Sequence, residues 1–185
     1  MLVFLTAKGF SQEKKYDFPA PPGWQTERFT FPIKFALDIP LIGTEELHLS
    51  PGWGKKESSE YWSYVFVWFL DGEIKPGTVQ LSNYLEQYYS GLYLSNLGKK
   101  QKPAAEFTKV TLDSARIKDN DSYYNGTINT LDFLTGEPLT LQLKLDIRKL
   151  AGGHTAFLYE ISQQPQDRPV WQTLDKVSAG FSVLR

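Results

Sequence analysis

The sequence predicts one α+β domain, a largely antiparallel β-sheet covered by helices, and three observations carry that prediction. Residues 139–147 alternate without exception, Leu139, Leu141, Leu143, Leu145 and Ile147 against Thr140, Gln142, Lys144 and Asp146, the period-two pattern of a strand with one buried face. Residues 61–70, YWSYVFVWFL, put bulky side chains on both alternating sets, as a strand covered on both faces requires. Helical spacing recurs in only two places, at Leu81, Leu85, Tyr88 and Leu92 and again at Val170, Leu174, Val177 and Phe181. Strands therefore stand before and after a central helix instead of alternating with helices one by one.

A chain of 185 residues with 41% apolar and 22% charged side chains has ordinary globular composition, and at this length it buries roughly 70% of its unfolded surface. One domain, 18–185, suffices, preceded by an N-terminal segment, 1–17. The formal net charge of −1 provides no field to gather phosphates, so nucleic acid is not an expected partner. Cysteine is absent and histidine occurs twice, at His48 and His154, which excludes disulfides, thiolate nucleophiles and sulfur-ligated metals; no cofactor is expected. In the N-terminal segment the apolar run at 2–5 precedes Glu13-Lys14-Lys15 and reads either as a signal-peptide remnant or as a terminal strand. It is far shorter than the roughly 20 residues of a transmembrane helix, and no membrane span is expected.

The elements follow in order. Pro19, Pro21, Pro22 and Gly23 make 18–24 an extended leading segment. Phe29, Phe31, Ile33, Phe35 and Leu37 alternate with Thr30, Pro32, Lys34, Ala36 and Asp38 and predict a half-buried strand, with Pro32 marking an edge or bulge. A second alternation at 45–50 ends at Pro51-Gly52, a polar loop follows at 54–60, and the strand at 61–70 stops at Asp71-Gly72. Thr78 caps the first helix and Gly98 ends it, with Lys99 and Lys100 at the negative end of its dipole. Beyond the connector 101–105, strands at 107–117, 123–134, 139–147 and 155–161 form an antiparallel meander with short turns, as at Gly136 and at Gly152-Gly153. Asp167 ahead of Arg168-Pro169 supplies the cap and first-turn proline of a closing helix.

Two short stretches add a family resemblance. Pro22-Gly23-Trp24 in the leading segment and Gly180-Phe181 within 177–183 resemble the PsbP-like family, named for the extrinsic oxygen-evolving-complex subunit. That family often reads Pro-x-Gly-Trp at the first place and Ser-Phe plus a last apolar residue at the second; here the intervening residue is missing and Gly180 replaces the serine. In pattern the resemblance spans most of 18–185. It implies an α/β/α sandwich and a noncatalytic, often extracytoplasmic binding or assembly role. No calcium or manganese ligands carry over, because no matching motif is present.

Candidate chemistry is sparse. Metal binding could use His48 with Glu45 or Glu46, of which Glu46 shares its strand face, or His154 with a carboxylate brought near by folding, but no third ligand is identifiable and a half-exposed polar face is the plainer account. A hydrolase would need a serine or threonine activated by His48 or His154, and the chain has no Gly-x-Ser-x-Gly elbow. Phosphate-loop spacing is absent at both glycine pairs. The lysines at 99, 100 and 102 read as a solvated helix exit, and Asn125-Gly126-Thr127 fits a glycosylation acceptor.

Aromatic residues, 15% of the chain, are the strongest compositional signal. Trp62, Tyr64, Phe66 and Trp68 are expected in the core. Trp53, Tyr89 and Tyr93, off the predicted buried stripes, are the expected binding surface for an unidentified protein or small-molecule ligand. The function expected is thus a noncatalytic binding or accessory domain, periplasmic or secreted. The alternatives are a hydrolase or metal-dependent enzyme using His48 or His154, and a cytosolic adaptor.

Overall fold

The computed structural model describes residues 15–97, 107–118 and 121–184. The 2–5 run, Gly98, the connector 101–105 and the lysines at 99, 100 and 102 lie outside them. The chain forms, in order, β1 (Tyr16–Asp17), β2 (Gln25–Thr30), β3 (Gly43–Leu49), β4 (Tyr64–Asp71), α1 (Thr78–Asn96), β5 (Lys109–Leu112), β6 (Arg116–Lys118), β7 (Asp121–Leu131), β8 (Pro138–Leu150), β9 (His154–Ser162), α2 (Pro169–Ala179) and β10 (Ser182–Val183). Eight strands make one antiparallel sheet in the order β2-β3-β4-β9-β8-β7-β5, with β6 also paired to β7, and β1 pairs β10 in a separate ribbon. The architecture is α+β, with helices on opposite faces of the sheet.

Alternation decides which side chain meets which helix. The set Tyr64, Phe66, Trp68 and Leu70 of β4, the five apolar residues of β8 and Phe157, Tyr159 and Ile161 of β9 form the larger core under α1, which contributes Leu81, Tyr84, Leu85, Tyr88 and Tyr89. The complementary set Val65, Val67 and Phe69, with Ala156 and Leu158, forms a smaller core with Trp171, Leu174 and Val177 of α2 and with Tyr16, Phe18 and Phe181. The double-sided character of 61–70 is therefore met by two helices.

Four local expectations are corrected. The alternation at 29–37 is a strand only as far as Thr30; Pro32 has no N–H for a ladder, and the chain turns through Ala36 N–H to Ile33 C=O and Ile39 N–H to Ala36 C=O bonds. The apolar residues of this stretch serve instead as a cover beside α1, with Phe31 edge-on to Trp68 at 5.2 Å and Phe35 edge-on to Tyr88 at 5.1 Å, while Leu37 is exposed. The strand at 107–117 is two, β5 and β6, parted at 113–115. Gly77 and Arg168, not Thr78 and Asp167, occupy the helix N-caps, and neither makes a side-chain cap bond. The chain continues past α2 into β10 and lies alongside β1, so Tyr16–Asp17 are paired within the fold.

One carboxyl group is sealed inside the larger core. Glu45 is wholly buried, its Oε2 accepting from Trp68 Nε1 at 2.5 Å and its Oε1 from the Tyr88 hydroxyl at 2.9 Å. Burial pushes it up to about 8 despite those two bonds, which favour the ionised form. It is neutral at physiological pH and acts as a polar clamp between β3, β4 and α1.

Candidate functional site: a polar trough beside the closing helix

The polar half of the β8 alternation faces away from α1. On that face α2 covers β4 and β9, and among the described residues the strands beyond it are left open. Pairing brings Thr127 opposite Gln142, Asn125 opposite Lys144 and Tyr123 opposite Asp146, and on the other side Lys144 opposite Glu160. Because residues i and i+2 of a strand share a face, these side chains form parallel rows along the flank of α2. Two cavities run along the rows. One, of about 260 Å³, is lined by Arg116, Tyr123, Asn125, Asp146, Arg148 and Glu160 among others; the next, of about 500 Å³, by Asp113, Asn125, Thr127, Gln142, Gln163 and Gln166. Asn125 belongs to both.

The charges in the trough are arranged in pairs. Arg148 Nε donates to Asp146 Oδ2 at 2.6 Å. Lys144 Nζ donates to Asp175 Oδ1 at 2.5 Å, lies 3.6 Å from Glu160 Oε2 and sits 5.0 Å from the Trp171 ring centroid. Burial, and next the Asp175 carboxylate beside it, push Glu160 up to about 8 against the opposing pull of Lys144. Asp175 is displaced downward: burial acts to raise it, and the hydrogen bonds from Glu160 and Lys144 outweigh that. The pair thus holds one proton, on Glu160. Its members touch one another and leave no gap for a substrate between them, which separates them from acid–base pairs that work across a cleft. Asp146 is raised by burial, with Arg148 opposing. Asp146 Oδ1 and Glu160 Oε2 are closed off from solvent and make no hydrogen bond to any described residue.

The residues expected from sequence fall elsewhere. Trp53 is half-buried, packed 5.5 Å from Trp62 and 6.1 Å from Phe133. Tyr89 and Tyr93, expected at the surface, are 2% and 7% exposed. The tyrosines of α1 reach the sheet because the helix presents a broader buried face than the Leu81–Leu85 stripe marks: the Tyr89 hydroxyl pairs with that of Tyr64 at 2.6 Å, and the Tyr93 ring packs 5.0 Å from Phe107. The structure does not bring these three aromatics together as a surface.

The face carrying Glu46 and His48 is also buried, not half-exposed. His48 Nε2 donates to the Phe18 carbonyl at 3.0 Å and Nδ1 meets the Thr26 hydroxyl at 3.1 Å. Glu46 pairs with Arg28 and accepts from Tyr16 at 2.9 Å. Both imidazole nitrogens are occupied within the protein, so His48 serves to tie the leading segment to the sheet. His154 lies 3.2 Å from Asp71 and 3.5 Å from Lys15 Nζ, beside a cavity of about 160 Å³ lined by Lys15, Arg28 and Asp71; among the described residues no serine or threonine hydroxyl is bonded to its ring. No cluster of three or more potential metal ligands occurs among the described residues, and among them no helix is long and apolar enough to cross a membrane. Asn125 lies in the middle of β7, a paired strand and not a loop.

The trough itself was written in the sequence as the polar partners of the β8 alternation. What could not be read there is that α2 stops short of them.

No family model matches the chain, and no curated protein sequence matches it. Solved structures similar to it include cyanobacterial PsbP (CyanoP) from Synechocystis sp. PCC 6803, at a TM-score of 0.45 and 13% identity over 95% of this chain and 91% of that one. They also include LpqN of Mycobacterium tuberculosis, described as involved in cell envelope biogenesis, at a TM-score of 0.37 and 10% identity over 92% of this chain and 83% of that one. The chain is thus weakly similar to PsbP-like folds.

Proposed function

We propose that this chain is a noncatalytic binding or accessory domain whose ligand lies in the polar trough beside α2. The observation that carries the reading is the open row of hydrogen-bonding side chains from Tyr123 to Gln142, with the unpartnered Asp146 Oδ1 at its base. A buried acceptor without a donor costs about 1–3 kcal/mol. A ligand that brings a donor there, after a small rotation of the carboxyl, removes that cost on binding. The enzymatic alternative finds less support, because His48 is fully engaged in holding the leading segment and the neighbours of His154 are Asp71 and Lys15. The proposal includes an extracytoplasmic setting, which rests on the apolar run at 2–5 ahead of Glu13-Lys14-Lys15; fractionation of cells expressing the full gene checks it.

Thermal-shift screening against neutral, anionic and cationic small molecules and oligomers tests the binding reading. At least one class is expected to raise the melting temperature in proportion to the logarithm of its concentration. The Asn125→Ala/Gln142→Ala double variant is expected to melt within a few degrees of the parent and to lose that response. A response that survives in the double variant would move the site elsewhere.

A further inference from the structure

Resting on the reading of the trough as a binding site, we infer that its ligand is a neutral, polyhydroxylated chain, a short oligosaccharide lying along β7 and β8. The charge pattern argues first. The cations lining the two cavities, Arg116, Lys144 and Arg148, are met by the anions Asp113, Asp146 and Asp175, and Lys144 and Arg148 are already in ion pairs. A phosphate or carboxylate ligand would have to compete with the aspartate partners, and a polyamine with the lysine and arginines. A ligand without net charge meets neither competitor. The fourth acid, Glu160, adds no charge at neutral pH because burial and Asp175 keep it protonated.

Donor and acceptor types argue next. Asn125, Gln142, Gln163 and Gln166 are planar amides, each carrying one acceptor and two donors on the same flat group, with one Gln166 donor directed at the Leu143 carbonyl at 3.5 Å. The Arg148–Asp146 pair presents the same combination, with Asp146 Oδ1 still lacking a donor. Adjacent ring hydroxyls, each both donor and acceptor, match such groups; phosphate oxygens supply acceptors alone. Tyr123, half-buried, lies at one end of the rows. From Asp146 to Gln142 the strand rises roughly 13 Å, and the cavities of about 260 and 500 Å³ that share Asn125 together fall within the size range of ligand sites. A single small molecule would leave half of this length unused.

The test is a titration of isotope-labelled protein followed by amide NMR, with four neutral trisaccharides built from glucose, galactose, mannose and N-acetylglucosamine. Inorganic tripolyphosphate, trilysine and triglutamate form the other arms. At least one trisaccharide is expected to give saturable shifts at Asn125, Thr127, Gln142 and Asp146. Asp146→Ala is expected to weaken that binding by about tenfold or more, with Asn125→Ala as the second variant should the first fold poorly. The control Val79→Ala, on the exposed side of α1, is expected to bind as the parent does. Shifts at the same amides from tripolyphosphate or a tripeptide, with none from any trisaccharide, would overturn the oligosaccharide inference and leave the binding reading standing. Trough amides that respond to no probe in any arm would count against both.

Discussion

Glu45→Gln is expected to stabilise the domain at alkaline pH and to remove about half of the decline in stability that the parent shows on raising the pH. The carboxyl loses its proton near 4.5 in the unfolded chain and keeps it to about 8 in the folded one. Between those limits the native state binds more protons than the unfolded state, so stability falls as pH rises. The Glu45 contribution is therefore full below about pH 4.5 and lost above about pH 8, a change on the order of 5 kcal/mol at about 1.4 kcal/mol per unit of displacement. Glutamine never ionises, and its amide can accept from Trp68 Nε1 and donate to the Tyr88 oxygen. Urea denaturation at about pH 5 and about pH 9 is expected to show parent and variant within about 1 kcal/mol at the lower value and the variant more stable by several kcal/mol at the higher. Glu160, raised for the same first cause, accounts for a remaining slope that Glu45→Gln/Glu160→Gln removes. Equal slopes in parent and single variant would mean that Glu45 is solvated, and the packing of α1 over it would have to be redrawn.

Gly91→Ala is the most damaging of the small substitutions. In an exposed helix interior the change would gain about 1 kcal/mol from helix propensity. Here α1 passes so close to the 31–42 segment that a Cβ on Gly91 would fall onto the backbone carbonyl of Phe35. A carbonyl cannot swing aside as a side-chain tip can, so helix and cover must separate, and Phe35 loses its edge-on contact with Tyr88. The net cost is expected at about 3 kcal/mol, measured as a lower urea midpoint with little change in slope. Gly54→Ala, where a Cβ meets nothing within 4 Å, is the companion expected to change stability by less than about 0.5 kcal/mol.

These two sites show what the sequence disclosed and what it withheld. The meander of β7, β8 and β9 and the paired faces of β4 were legible because strict period-two spacing leaves a strand no other way to bury its apolar set. The 29–37 stretch has the same spacing and a different outcome: after Pro32 its apolar residues are buried from a turning chain, and the residues of a cover and of a half-buried strand are chemically alike. Close approach of Gly91 to Phe35, over 56 positions, and burial of Glu45 between Trp68 and Tyr88, over 23 and 43 positions, are contacts that no local pattern announces.

Site residues were harder still. Trp53, Tyr89 and Tyr93 drew attention because aromatics carry binding energy, yet the same rings carry core energy, and two of the three are in the core. The polar residues of the trough are individually ordinary. Lys144 looks like any solvent-facing residue of an amphipathic strand until α2 places Asp175 and Trp171 beside it. The proposed site is the uncovered remainder of a sheet face, a property of where a helix ends.

The central claim, that binding occurs on the open face of β7 and β8 beside α2, is tested most directly by amide NMR of the labelled protein in an extract of its native cells. Perturbations are predicted at Tyr123, Asn125, Thr127, Gln142, Lys144 and Asp146, with the exposed side of α1 around Val79 unchanged. A response centred instead on α1 or on the Lys15–Asp71 cavity, with the trough amides unmoved, would contradict the account.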